Sequence, residues 1–130
     1  MDRKMKLALP SRKDCEYIRR KLKIFYETNK SYNAYPNRES NCLERALTRL
    51  FKFFQLTKPR IVWYEHFGLG SNTLGRCTLS GEIELITPFH YDGSFESWLD
   101  TFYHEIGHYV LWYDTEKKAK EFAGKMRVRG

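Results

Sequence analysis

A chain of 130 residues with 42% hydrophobic and 16% aromatic residues has the size of one domain that buries its own core, and it lacks the Pro-rich or Gly/Ser-rich tracts of a disordered linker. Its formal net charge of +7, concentrated in residues 1–30 and 117–129, favours loose association with polyanions and carries no information about fold. Three cysteines without a CxxC pair argue against a disulfide framework or a zinc finger, and the lack of an apolar signal core or an 18-residue apolar run leads us to expect an intracellular, cytoplasmic protein with no membrane partner.

In chain order, Ser11 is positioned to cap a helix running to about residue 27, with Ile18, Leu22 and Phe25 at helical spacing and Lys and Arg on the other side. Residues 29–39 form a polar loop, after which Ser40 is the expected N-cap of a second helix with Leu43, Leu47, Leu50, Phe51 and Phe54 on its apolar face. Pro59 ends that region. Residues 61–67 are β-branched and aromatic enough for a strand, followed by a Gly68/Gly70 turn.

A second strand is expected over residues 73–78, a turn at Ser80-Gly81, and a third strand over residues 82–86, where charged Glu82 and Glu84 flank Ile83 and suggest a sheet edge. Ser94 then caps a helix through about residue 113, with Trp98, Phe102, Ile106, Tyr109 and Tyr113 along one stripe. After a break at Asp114-Thr115, residues 115–126 form a last helix carrying Ala119, Phe122, Ala123 and Met126 on one side. The fold class is therefore α+β: two N-terminal helices, a small, mostly antiparallel sheet of about three strands, and two further helices.

The chemistry concentrates in His104-Glu105-Ile106-Gly107-His108, an HExxH arrangement on the third helix. Imidazoles four residues apart point off one helical face and can share a tetrahedral Zn2+. Glu105 is then placed to act as general base toward a metal-activated water, which makes metal-assisted hydrolysis of a peptide bond the expected reaction and Glu105 the catalytic residue. Gly107 costs about 1 kcal/mol against Ala in mid-helix unless close packing requires it.

A third metal ligand has three candidates. Asp114 stands where a metzincin pattern ends, but Leu111 occupies the position where that pattern needs a glycine, and Asp114 also fits an N-cap. On the last helix Glu116 falls beside Ala119 and Ala123, near the apolar side, and is favoured. Glu121 is positioned to pair with Lys125 at i+4. A tight antiparallel helix hairpin would nevertheless bring Glu121 level with His108, so Glu121 stands as the fallback.

His104–His108 followed by Glu116, Ala119, Phe122 and Ala123 resembles the HExxH and downstream E-x-x-A-x-x-F-A signature of the ImmA/IrrE-like metallopeptidases, which are gluzincins. Their downstream glutamate is a zinc ligand, which the resemblance carries to Glu116. Lys120 stands where that family usually has Asn or Asp, and the spacing from His108 to Glu116 is shorter than typical. Leu74-Gly75-Arg76-Cys77 and Gly81-Glu82-Ile83-Glu84-Leu85 ahead of HExxH are similar to SprT-like metallopeptidases, whose third ligand is normally a histidine; this chain has none after His108.

These resemblances imply a single zincin-like metallopeptidase domain over residues 1–130, with one Zn2+ and a polypeptide substrate. Zincins bind substrate as an added strand, so Glu82, Ile83, Glu84, Leu85 and Ile86 are the expected substrate-binding edge. His66, His90 and the tyrosines are expected to be packing or surface residues. Two other functions fit the same residues: nucleic-acid association through the basic first helix and C-terminus, and a regulatory zincin fold whose metal is structural or idle.

Overall fold

The computed structural model describes residues 8–68, 72–111 and 116–130. Among them are α1 (Arg12–Lys30), α2 (Ser40–Phe54), β1 (Arg60–Tyr64), β2 (Gly75–Cys77), β3 (Glu82–Ile86), α3 (Phe95–Leu111) and α4 (Glu116–Arg129). This is a small α+β arrangement of four helices and one three-stranded mixed sheet. Gly70, Tyr113, Asp114 and Thr115, to which turn, stripe, cap and break were assigned, lie outside the described residues.

Two of the three caps expected from serine, Ser11 and Ser94, are present. Ser11 Oγ accepts from the Asp14 N–H at 3.1 Å and Ser94 Oγ from the Ser97 N–H at 3.1 Å, each satisfying an otherwise unpaired amide of a first turn. α1 continues one turn beyond its expected end because Asn29 is buried and ties the helix to the next loop, its side-chain amide donating to the Phe25 and Arg38 carbonyls at 2.8 and 2.7 Å. At α2 the expectation is corrected: Ser40 is already helical, and the N-cap is Glu39, held at φ +52° without a side-chain cap bond. The chain enters this helix through backbone geometry that a propensity for serine caps does not encode.

Large side chains from every layer join in one core. Phe25 of α1 stacks on Trp63 of β1 with centroids 5.7 Å apart, and Trp98 of α3 lies against Tyr26 and Phe102 at 5.0 and 5.5 Å. Trp63 is partly buried against this core, while Phe25, Tyr26, Trp98 and Phe102, with Leu22, Leu47, Leu50 and Ile106, are almost fully removed from water, each supplying roughly 1.5–3 kcal/mol of burial.

The sheet departs from the mostly antiparallel expectation. Its order is β1-β3-β2, with β1 parallel to β3 and β2 antiparallel to β3. β3 is thus the central strand and not the substrate-binding edge. The charges that suggested an edge are instead cross-strand partners: Arg60 stands opposite Glu82 and reaches it at 3.4 Å, while Arg76 stands opposite Glu84 at 2.8 Å. Tyr64 Oη also donates to Glu84 at 3.2 Å. Alternating carboxylates in a short strand therefore mark basic neighbours on both sides.

Candidate metal centre

Two contacts, one on each side of α3, assemble the HExxH region. On the first side, Gly107 faces α4. A Cβ there would lie 3.2 Å from both the Ala119 Cα and the Phe122 ring, so the glycine is what lets the two helices approach this closely. Ala119 and Ala123, both buried, complete the small-residue seam.

That seam sets the register of α4 against α3, and it brings Glu116, not Glu121, to the two histidines. With Ala119 against Gly107, the residue one turn earlier on α4 reaches both histidines. His104 Nε2 lies 2.7 Å from Glu116 Oε2, and His108 Nε2 lies 3.1 Å from Glu116 Oε1. One ligand-type atom from each of His104, His108 and Glu116 falls within 4.8 Å of the others. Glu121 points elsewhere and pairs with Lys125 at 3.2 Å. Asp114 lies outside the described residues.

On the other side, Gly75 of β2 rests on α3. A Cβ there would come within 3.1 Å of the Glu105 Cγ and the Thr101 Cγ2 and within 3.0 Å of Leu85. This glycine allows a sheet edge to lie directly over Glu105, leaving the carboxylate side chain only 7% exposed. No hydrogen bond or ion pair from the described residues engages that carboxylate.

The electrostatics of the two carboxylates diverge. Burial pushes the Glu105 carboxyl up to about 7, with the negative charge of Glu116 adding to the rise. At Glu116 some burial also pushes upward, but the adjacent His104 and His108 outweigh it and hold the carboxyl below its ordinary value. Cys77, on the same face of β2 as Gly75, is raised to about 11 by burial and then by Glu105, so its thiol stays protonated.

The donor set fits a zinc ion. Two imidazoles and one carboxylate are a catalytic zinc complement, and ligand atoms on bonds of about 2.0–2.1 Å in a tetrahedron stand roughly 3.3 Å apart. The two histidine–Glu116 separations are a few tenths of an ångström shorter, and Glu116, largely exposed, has room to withdraw by that amount.

Two adjoining depressions share Gly75, His104 and Glu105. One runs along Arg76, Cys77, Thr78 and Leu79 toward His108 and Glu116, the other along Asn72, Thr73 and Leu74 toward Asp100 and Thr101. The cleft therefore follows β2. Leu74 O and Thr78 N bond to β3 at 3.4 and 2.8 Å, and Arg76 is paired with Glu84 in between. By the alternation of an antiparallel ladder, Gly75 and Cys77 turn their N–H and C=O groups to the free edge.

The strand at the cleft is thus β2, in place of the expected residues 82–86. Gly75, Cys77 and Leu79 were missed as cleft residues; a glycine inside a short strand signals a close approach, and that signal pointed here. His66 and His90 do not line the cleft: His66 Nδ1 accepts from the Gly68 N–H at 3.0 Å and His90 Nδ1 lies 2.8 Å from Thr87 Oγ1. Tyr103 is buried in the core, and Tyr109 Oη donates to the Thr57 carbonyl at 2.8 Å. No helix among the described residues is long and apolar enough to cross a membrane. Compared with protein-family models, curated proteins and solved structures, the chain matches none.

Proposed function

We propose that this chain is a zinc-dependent peptidase of the gluzincin type, with a zincin-like fold, in which His104, His108 and Glu116 hold the metal and Glu105 is the general base. The observation that carries the proposal is the meeting of three ligand-type side chains from two helices beside a buried carboxylate that has no hydrogen-bond or ion-pair partner among the described residues. A zinc ion in that triangle supplies Lewis acidity, acidifying water and polarising a carbonyl.

The protein's own groups do the rest. An extended polypeptide lies along β2 and pairs with the outward main-chain groups of Gly75 and Cys77, which brings a backbone carbonyl over Glu105. Glu105 accepts a proton from the attacking water as its oxygen bonds to the carbonyl carbon. The same carboxyl then delivers that proton to the amide nitrogen as the C–N bond breaks, releasing an amine and a carboxylate. Its raised affinity for protons suits both transfers near neutral pH.

Cleavage of an unfolded protein such as casein by the zinc-loaded chain tests the proposal. Wild type is expected to cleave, and Glu105→Gln to lose at least about 1,000-fold in turnover while keeping its metal. Equal cleavage by Glu105→Gln would overturn the assignment.

A further inference from the structure

The opposite use of charge appears on α1 and α2. Tyr17 of α1 is half-buried, and three cations gather on its ring: the Arg49 guanidinium at 4.0 Å, Lys21 at 5.5 Å and Arg20 at 5.6 Å. Tyr17, Arg45, Arg49 and Lys52 line a groove between the two helices that shares no residue with the cleft along β2. Along α2, Arg45, Arg49 and Lys52 recur at three- or four-residue steps and so share one face over about 10 Å.

Two nearby carboxylates are already engaged, one of them by a cation of the groove itself. Asp14 is held by Arg49 at 2.9 Å and Glu44 by Lys58 at 2.8 Å. Arg20, Arg45 and Lys52 are exposed and form no ion pair with the described residues. They pack against no core, so folding does not require them to converge, and their mutual repulsion is relieved when a polyanion enters the groove.

The cations in the last two turns of the basic C-terminal helix differ. Arg127 is engaged by Asp100 at 3.3 Å and by Glu96 at 3.7 Å, Arg129 donates to the Pro10 carbonyl at 2.8 Å, and Lys125 is paired with Glu121. These cations are occupied within the fold.

We propose that the α1–α2 groove binds the backbone of a single-stranded nucleic acid without sequence preference, with Arg45 and Lys52 in the groove and Arg20 beside Tyr17 on phosphates, and the Tyr17–Arg49 pair as a stacking platform for a base. A row of cations along a helix suits a run of phosphates better than one small anion, and an aromatic ring with a guanidinium over it offers a base a sequence-tolerant face. The groove lies between two packed helices, which favours a strand over a duplex.

The test is fluorescence anisotropy with a labelled single-stranded DNA of mixed sequence, a duplex of the same length, and anionic phospholipid vesicles, across about 50–200 mM salt. Wild type binds the single strand more tightly than the duplex. The triple variant Arg20→Glu, Arg45→Glu and Lys52→Glu binds at least tenfold more weakly, and its salt slope falls by about 2, as removing three phosphate contacts requires. The neutral triple to Gln loses less, in the same direction. Tyr17→Ala loses a few-fold on the single strand.

A charge-matched triple on α4, Lys117→Glu, Lys120→Glu and Lys125→Glu, stays within about twofold of wild type. Glu105→Gln binds as wild type does, which separates this groove from the metal centre. No binding by wild type, equal loss in the α4 triple, preference for duplex, or binding to vesicles alone would each overturn the proposal.

Discussion

Glu105 and Glu116 flank the same two histidines, yet one lies under a strand and the other at the open start of a helix. Glu105 is almost fully buried beneath β2, has no hydrogen-bond or ion-pair partner among the described residues, and holds its proton up to about 7 because burial disfavours its charge. Glu116 is mostly exposed, is held by both imidazoles, and is kept ionised below its ordinary value despite some burial. The pair teaches that environment divides the labour: the group that keeps a proton near neutrality is suited to move one, and the group that is reliably anionic is suited to hold a cation.

The largest effects break this division directly. Glu105→Gln is expected to keep zinc and lose at least about 1,000-fold in turnover, whereas Glu116→Ala is expected to lose at least 100-fold in zinc affinity, roughly the loss of a metal ligand. Metal titration and peptide cleavage on both variants separate the two roles. If either variant loses both properties to the same extent, the division fails.

A second effect is visible in the metal-free protein as a function of pH. Glu105 binds a proton in the folded state up to about 7 but gives it up near its ordinary 4.5 when unfolded. Between these values the folded state carries more protons, so stability falls as pH rises, by at most about 3 kcal/mol once pH exceeds 7. Glu116 acts in the reverse sense, its contribution being lost as pH falls below about 4.5. Urea denaturation between pH 5 and 8 should show a steeper decline in wild type than in Glu105→Gln; parallel curves would contradict the burial account.

The two glycines sharpen the comparison further. Gly107→Ala places a methyl 3.2 Å from the Ala119 backbone and should push α4 away, costing about 1–3 kcal/mol and weakening zinc affinity about tenfold. Gly75→Ala meets Leu85, Thr101 and the Glu105 side chain instead, and should lower turnover about tenfold with zinc affinity nearly intact. Thermal unfolding, metal titration and kinetics on both variants check this. The smallest effect belongs to Glu121→Ala, which removes one exposed i,i+4 pair with Lys125 and should cost no more than about 0.5 kcal/mol without touching metal binding.

The parts of this site that follow from one helix were legible in the sequence. HExxH spacing puts His104 and His108 on one face by helix geometry alone, and the small residues beside Glu116 marked the buried side of α4 on which it meets them. Serine caps at Ser11 and Ser94 were legible for the same local reason. Strand order was not. Glu82 and Glu84 look like an exposed edge until Arg60 and Arg76 are known to stand opposite them, and the parallel pairing with β1, which makes β3 central, joins strands distant in sequence and leaves no local periodicity. The placement of β2 over Glu105 likewise depends on a long-range contact, for which Gly75 was the single local sign.

Metal content by mass spectrometry on protein purified without added metal, and again after zinc reconstitution, tests the central claim most directly. One zinc per chain is expected in wild type, Glu105→Gln and Glu121→Ala, and loss of that zinc in His104→Ala, His108→Ala and Glu116→Ala. Wild type that takes up no zinc even on reconstitution, or a Glu116→Ala protein that retains it, would contradict the account.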